Sequence, residues 1–125
     1  MNKDLDIMDR LFKKGIKSFN ENQYYDAHEL WEELWSDYYL PDANFVQGLI
    51  QLSVAYFHIS NQNLKGAKSL FNKSIQKLVD YVPYHRGLNI RLILLKAKNS
   101  LEILNNNSST ENFNWDVVPI IEIND

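Results

Sequence analysis

Two short constellations in this chain have residue types and spacings that could do chemistry. His28 and Glu32 stand four residues apart, which on a helix sets an imidazole and a carboxylate on one edge. Gln47, Gln51 and His58 follow at spacings of four and seven, so they stack along one edge of a second helix. Imidazole, carboxylate and amide together can hold a divalent metal or pass a proton. The same groups can also close on one another as a hydrogen-bond network that fixes helix register. Both readings stay open from the residues alone. A trihistidine metal site from His28, His58 and His85 is a further arrangement, but His85 lies between Pro83 and Gly87, in a connection of unknown reach.

Sharper motifs are missing. His28-Glu29-Leu30-Trp31-Glu32 begins like the HExxH of a zinc protease, yet position 32 is Glu and the second histidine ligand is absent. No Glu-x-x-His pair exists for a di-iron bundle, because Tyr25, Ala55 and Val82 stand three residues before His28, His58 and His85. Neither G-x-S-x-G nor G-x4-G-K-[ST] occurs, which removes the nucleophile elbow and the P-loop.

The elements that must position these residues read as helices. Leu5, Met8, Leu11, Phe12, Ile16 and Phe19 fall at helical spacing with Lys13, Lys14 and Lys17 opposite. A second helix from Tyr24 to about Tyr38 turns Tyr24, Ala27, Leu30, Trp31, Leu34, Trp35 and Tyr38 inward and Asp26, Glu29, Glu33 and Asp37 outward. Pro41 stops it or opens the next. From Asp42 to Ser60 nearly the whole circumference is apolar, broken by Gln47, Gln51 and His58, the pattern of a central buried helix. Asn63 is placed to cap a fourth helix through Tyr81, and Asn89 a fifth. Residues 105–110 (NNNSST) make a polar linker, and Phe113 to Ile123 is expected to be extended, with Trp115, Val117 or Ile120 packing back.

Shifting the chain by 40 residues aligns Phe19-x4-Tyr24-x2-Ala27 with Ile59-x4-Leu64-x2-Ala67. In each copy a helix ends, a turn follows, and alanine stands where two helices approach closely. Gly48 and Ala55 mark another close approach on the central helix. The pattern resembles the helix-turn-helix unit of tetratricopeptide repeats, and two copies are fewer than a solenoid usually needs. The expected fold is all-α: a compact five-helix bundle of two tetratricopeptide-like helical hairpins plus a C-terminal helix and an extended tail. Residues 1–106 make the bundle domain and 107–125 the polar linker and C-terminal tail.

Composition narrows the function classes. With 125 residues, 45% apolar and 23% charged, the chain suits one globular domain. The absence of Cys rules out disulfides and thiolate metal sites and fits a cytoplasmic setting. MNKDLDIMDR lacks the apolar run of a signal peptide, and the interrupted stretch 45–59 is too short to span a bilayer. Charge is segregated. Seven acids and no base lie between Glu21 and Asp42, while eight bases face two acids from Asn61 to Asn105. Two solvated faces explain this, and Lys65, Lys68 and Lys73 lack interleaved exposed aromatics, so neither nucleic acid nor membrane is expected as a partner.

The residues also resemble a family. Phe19-Asn20-x3-Tyr24-Tyr25-x-Ala27-His28-Glu29-x2-Glu32-x2-Trp35, then Gln47-Gly48-Leu49-Ile50-Gln51-Leu52 and His58, then Asn63-x2-Gly66-Ala67-x2-Leu70 resemble the domain-of-unknown-function 309 family, over about residues 11 to 104. The resemblance implies a small all-helical bundle and no particular activity. It makes His28, Glu29, Glu32, Trp35, Gln47, Gly48, Gln51, His58 and Gly66-Ala67 signature positions. Asn89 stands where the family pattern leads one to expect Asp, which removes a carboxylate from that loop, and Pro119 is loosely similar to the family's proline-containing tail.

Two classes of function follow. The first is a non-catalytic binding or interaction module for a protein or small-molecule partner, with a semi-buried cluster of His28, Glu32, Gln47, Gln51 and His58 walled by Tyr24, Trp31 and Trp35. The second is a small metal-dependent or acid/base enzyme using His28, Glu32, Gln51 and His58. No motif demands a cofactor; a divalent metal is the one these residues could hold, with His28, Glu32 and His58 as ligands. A homo-oligomer is compatible with either class.

Overall fold

Helix α3 (Ala43–Ser60) lies at the centre of the core. Phe45, Val46, Leu49, Leu52, Ala55, Tyr56 and Ile59 are all buried along it, so most of its circumference is covered by protein, as an all-round apolar helix requires. A computed structural model describes residues 3–124; Met1, Asn2 and Asp125, the outermost residues of the expected bundle and tail, lie outside the described residues. The order is α1 (Lys3–Asn20), α2 (Tyr24–Asp37), α3, α4 (Leu64–Leu78), a 3-10 turn over Val79–Tyr81, β1 (Tyr84–His85), β2 (Leu88–Asn89), α5 (Ile90–Asn105) and a second 3-10 turn over Trp115–Val117. Each helix packs on the next in sequence. The architecture is the all-α five-helix bundle.

The 40-residue echo has a backbone counterpart. At the end of α1, Asn22 takes a left-handed φ of 64°, Asn22 N–H bonds the Phe19 carbonyl (3.0 Å) and Gln23 N–H the Ser18 carbonyl (2.8 Å). At the end of α3, Gln62 takes a φ of 55°, bonds Ile59 (3.1 Å), and Asn63 bonds His58 (2.8 Å). This is one left-handed helix-stop motif used twice. It turns the chain back in three residues, so Ala27 and Ala67, both fully buried, meet the preceding helix.

Caps act where the sequence places them. Asn63 Oδ1 accepts from Gly66 N–H at 2.9 Å and Asn89 Oδ1 from Leu92 N–H at 3.0 Å. Replacing either asparagine by alanine is expected to cost about 1 kcal/mol, read as a drop in the urea midpoint at unchanged slope. A loss within error at both positions would mean water serves those amides equally well.

Close packing joins the helices through small residues. The Gly48 carbonyl accepts the Ser74 hydroxyl at 2.7 Å, and a Cβ on Gly48 would sit 2.8 Å from a Leu78 methyl. Tyr56 and Ser100 share a buried hydroxyl bond of 2.8 Å that ties α3 to α5. On the other flank the Trp31 indole is fully buried and donates from Nε1 to the Phe12 carbonyl at 3.1 Å.

Two regions differ from the sequence expectation. The fourth helix stops at Leu78 and tightens into the 3-10 turn. Beyond it, the connection around His85 is an antiparallel hairpin pairing Tyr84 with Asn89 and His85 with Leu88. Its two-residue tip, Arg86 (φ 51°) and Gly87 (φ 74°), has positive φ at both positions, the turn whose twist suits a short hairpin. The segment after α5 makes the 3-10 turn over Trp115–Val117 before running extended, and it returns across the bundle with Trp115 and Val117 packing back as expected but not Ile120. Phe113 and Ile121 are buried, Trp115 stacks on Tyr24 (centroids 6.1 Å, 14° apart), and Ile120 points outward. An alternating extended segment buries every second side chain, and this register selects 121 rather than 120.

Candidate functional site

The start of α2 lies against the end of α3, so the two helices run antiparallel. Tyr25 and His28 from α2 and Val54, Phe57 and His58 from α3 enclose a small open pocket of about 140 Å³. The Tyr25 ring lies 5.3 Å from Phe57 and 5.4 Å from His28, centroid to centroid. His28 Nε2 bonds Glu32 Oε2 at 2.7 Å, the contact that a four-residue spacing on a helix makes available. With that nitrogen donating to the carboxylate, Nδ1 is left closed off from solvent and without a hydrogen-bond partner. Buried polar atoms are normally satisfied, and this one, on a residue that lines the pocket, is an exception.

The other sequence-predicted residues go to different tasks. His58 lines the same pocket, but its Nδ1 is turned toward the cap amide of Asn63 (3.3 Å). Gln51 faces α4: with its nitrogen toward the Lys73 carbonyl (3.3 Å), its oxygen accepts from Lys77 Nζ (3.2 Å). Gln47 is half-buried and does not line the pocket. The walls are also different residues. Trp31 points into the α1 contact. Tyr24 is buried with its hydroxyl on Asn22 (3.0 Å), and burial pushes that phenol up to about 12. Trp35 is partly exposed further along α2. Tyr25, Val54 and Phe57 take their place, because the α2–α3 crossing rotates Tyr24 and Trp31 inward and leaves Tyr25 at the lip.

The expected metal set is not assembled. Among the described residues no three of His, Cys, Asp and Glu come together in a way that would hold an ion; Glu32 is committed to His28, and His58 Nδ1 is turned to Asn63. His28, Glu32 and His58, the candidate ligands, do not come together as a triad among the described residues.

A second polar cluster had no signal in the sequence. Asp42, just before α3, accepts from Arg86 Nε (2.6 Å), Arg86 Nη2 (2.9 Å) and His85 Nε2 (2.7 Å). The Arg86 guanidinium also lies 4.7 Å above the Phe12 ring, and His85 packs on Phe45 (4.5 Å) and Tyr81 (4.7 Å). Burial alone would raise the Asp42 carboxyl, but the hydrogen bonds and charges of Arg86 and His85 win and bring it down to about 2. Asp42 stands at the N-cap position of α3, but its side chain caps nothing and instead clamps the hairpin. A spacing of more than forty residues carries no local pattern that could have revealed the pairing.

Residues 12–70 match the family model of the Domain of unknown function (DUF309). The match covers 59 of the 125 residues, a little under half of the chain. It contains α2, α3 and every residue of the His28 pocket, while the hairpin, α5 and the extended segment follow it. The DUF309 match ends at Leu70, short of residue 104 to which the sequence resemblance extends. No curated protein matches the chain. No helix among the described residues is long and apolar enough to cross a membrane.

Proposed function

We propose that this protein is a non-catalytic binding module, and that its site is the pocket between α2 and α3, which takes one apolar side group from a partner. The observation behind this reading is the pocket itself: a half-exposed Tyr25 faces Phe57 and Val54, with two imidazoles at the rim. Sites for whole ligands or cofactors measure roughly 300–1,000 Å³, whereas about 140 Å³ suits one side chain. Tyr25, His28, Glu32 and Trp35 also form a single stripe along α2 at spacings of three, four and three. The stripe keeps Tyr25 49% and Trp35 38% exposed, and tyrosine and tryptophan are the residues that most often carry binding energy. The tetratricopeptide-like reading of the paired hairpins belongs to this proposal as the scaffold that presents the stripe.

Acid/base chemistry has one observation in its favour, the 2.7 Å bond by which Glu32 orients His28, the geometry of a base with its positioning carboxylate. It lacks access, because Nδ1, the nitrogen left to meet a substrate, is closed off from solvent.

The test is an NMR titration with N-acetyl amides of leucine, phenylalanine and tryptophan. Resonances of Tyr25, His28, Phe57 and His58 are expected to move together, and Tyr25→Ala is expected to weaken the response at least about tenfold, the scale of a truncated anchor. Spectra unchanged at these residues up to saturating probe would overturn the proposal.

A further inference from the structure

The extended segment after the second 3-10 turn is held as a peptide ligand is held. Asn20, at the end of α1, grips the backbone of Ile121 from both sides: its Nδ2 donates to the Ile121 carbonyl (2.8 Å) and its Oδ1 accepts the Ile121 N–H (2.8 Å). Three residues on, Asn124 N–H donates to the carbonyl of Gly87 at the hairpin tip (2.7 Å). These contacts read main chain rather than side chain. Specificity comes from alternation: Pro119 and Ile121 are buried, Ile123 is half-buried, and Ile120, Glu122 and Asn124 face out. Backbone bonds for affinity and alternate pockets for choice are how extended peptides are recognised. A Cβ on Gly87 would meet the Asn124 carbonyl at 3.0 Å, so glycine at the tip leaves room for the strand.

The segment is seated on one wall only. A cavity of about 500 Å³ runs beside it, floored by Leu92, Ile93 and Lys96 of α5. The linker after α5, residues 105–109, is exposed throughout, and Thr110 and Phe113 are buried between it and the segment. The segment is thus held by its backbone contacts to Asn20 and Gly87 and by the buried side chains of Pro119 and Ile121, while its outer side stays open.

We propose that the channel formed by Asn20, the Gly87 tip and α5 is an exchange site, which takes residues 118–124 either from its own chain or from a second copy. The fit of that one sequence to the channel is visible in the structure, and every copy carries it. Exchange of an identical element is a low-cost route to a dimer. The tethered segment competes at an effective concentration of about millimolar, so the exchanged form is favoured at high protein concentration or when the resident segment is spoiled.

The experiment uses two full-length variants. Ile121→Asp keeps the channel and spoils the segment; Asn20→Ala keeps the segment and spoils the channel. Each alone is expected to run as a monomer in light scattering, and an equimolar mixture is expected to give a one-to-one heterodimer. A mixture that stays monomeric, with both variants retaining wild-type helical circular dichroism, overturns the proposal. A second measurement uses a synthetic peptide of residues 118–124 with wild-type protein. At excess peptide the backbone amide resonances of the displaced resident Ile121 and Asn124 are expected to shift, and Ile121→Asp or the milder Ile121→Ser is expected to bind the peptide at least tenfold more tightly than wild type. No shift in wild type overturns the exchange site even if both variants unfold. Equal binding of a scrambled peptide, with its apolar residues out of alternation, also overturns it.

Discussion

Gly15→Ala is expected to destabilise the protein by about 2–4 kcal/mol, although the same change in an exposed helix normally gains about 1 kcal/mol. The reason is the α1–α2 contact. A Cβ built on Gly15 falls far inside van der Waals distance of the Trp31 indole, nearest Nε1 and 2.5 Å from Cδ1. Trp31 cannot retreat, because it is fully buried and packed near Phe19 (6.1 Å between centroids). If the ring moves, Nε1 loses the Phe12 carbonyl, and an unpaired buried donor adds roughly 1–3 kcal/mol to the cost of overpacking. Urea denaturation with tryptophan fluorescence reads both effects, since the emission of Trp31 reports its surroundings. A Gly15→Ala protein as stable as wild type would mean that α1 and α2 do not approach as closely as described. Trp31→Phe in the Gly15→Ala background is expected to recover part of the loss, because it removes both the clashing ring edge and the donor.

The second large effect is at Asp42. Asp42→Ala leaves the Arg86 guanidinium and the His85 imidazole, each about one-third exposed or less, without their shared acceptor. Stranding a partly buried charge costs about 2–4 kcal/mol, somewhat below the figure for a fully buried pair. Asp42→Asn separates this from capping. Asparagine caps helices as well as aspartate does, so a cap role predicts no loss, whereas the clamp predicts that much of the Ala penalty remains. The pH dependence has a definite sign. The carboxyl sits at about 2 in the folded chain against an ordinary value of 3.8. A depressed carboxyl contributes stability that is complete above the unfolded value and is lost as pH falls through the folded one. Between roughly pH 5 and pH 2 the wild type is therefore expected to lose stability faster than Asp42→Asn, and the gap between them to narrow toward the acid end. Parallel curves over that range would show that the carboxylate is not held by Arg86 and His85. Because the Gly87 tip belongs to the clamped hairpin, amides of the Ile121 segment are also expected to exchange faster in Asp42→Ala.

Local pattern carried much of this protein. The all-round apolar face of α3 fixes it as the central helix, since a helix with one polar stripe has only one side it can show to water. The caps at Asn63 and Asn89 and the repeated turn after Phe19 and Ile59 are decided within a few residues, by hydrogen bonds the chain makes with itself. The pairing of His28 with Glu32 is similarly local, one helical turn apart. What lay around that pair was not local. Whether Tyr24 or Tyr25 walls the pocket depends on how α2 rotates against α3, and Gln51 turned to Lys77 only because α4 came alongside. The Asp42–Arg86 clamp and the Asn20 grip on Ile121 join residues more than forty and a hundred positions apart. Periodicity has no term for such distances. They are set when packed surfaces bring together chain segments that no spacing rule connects.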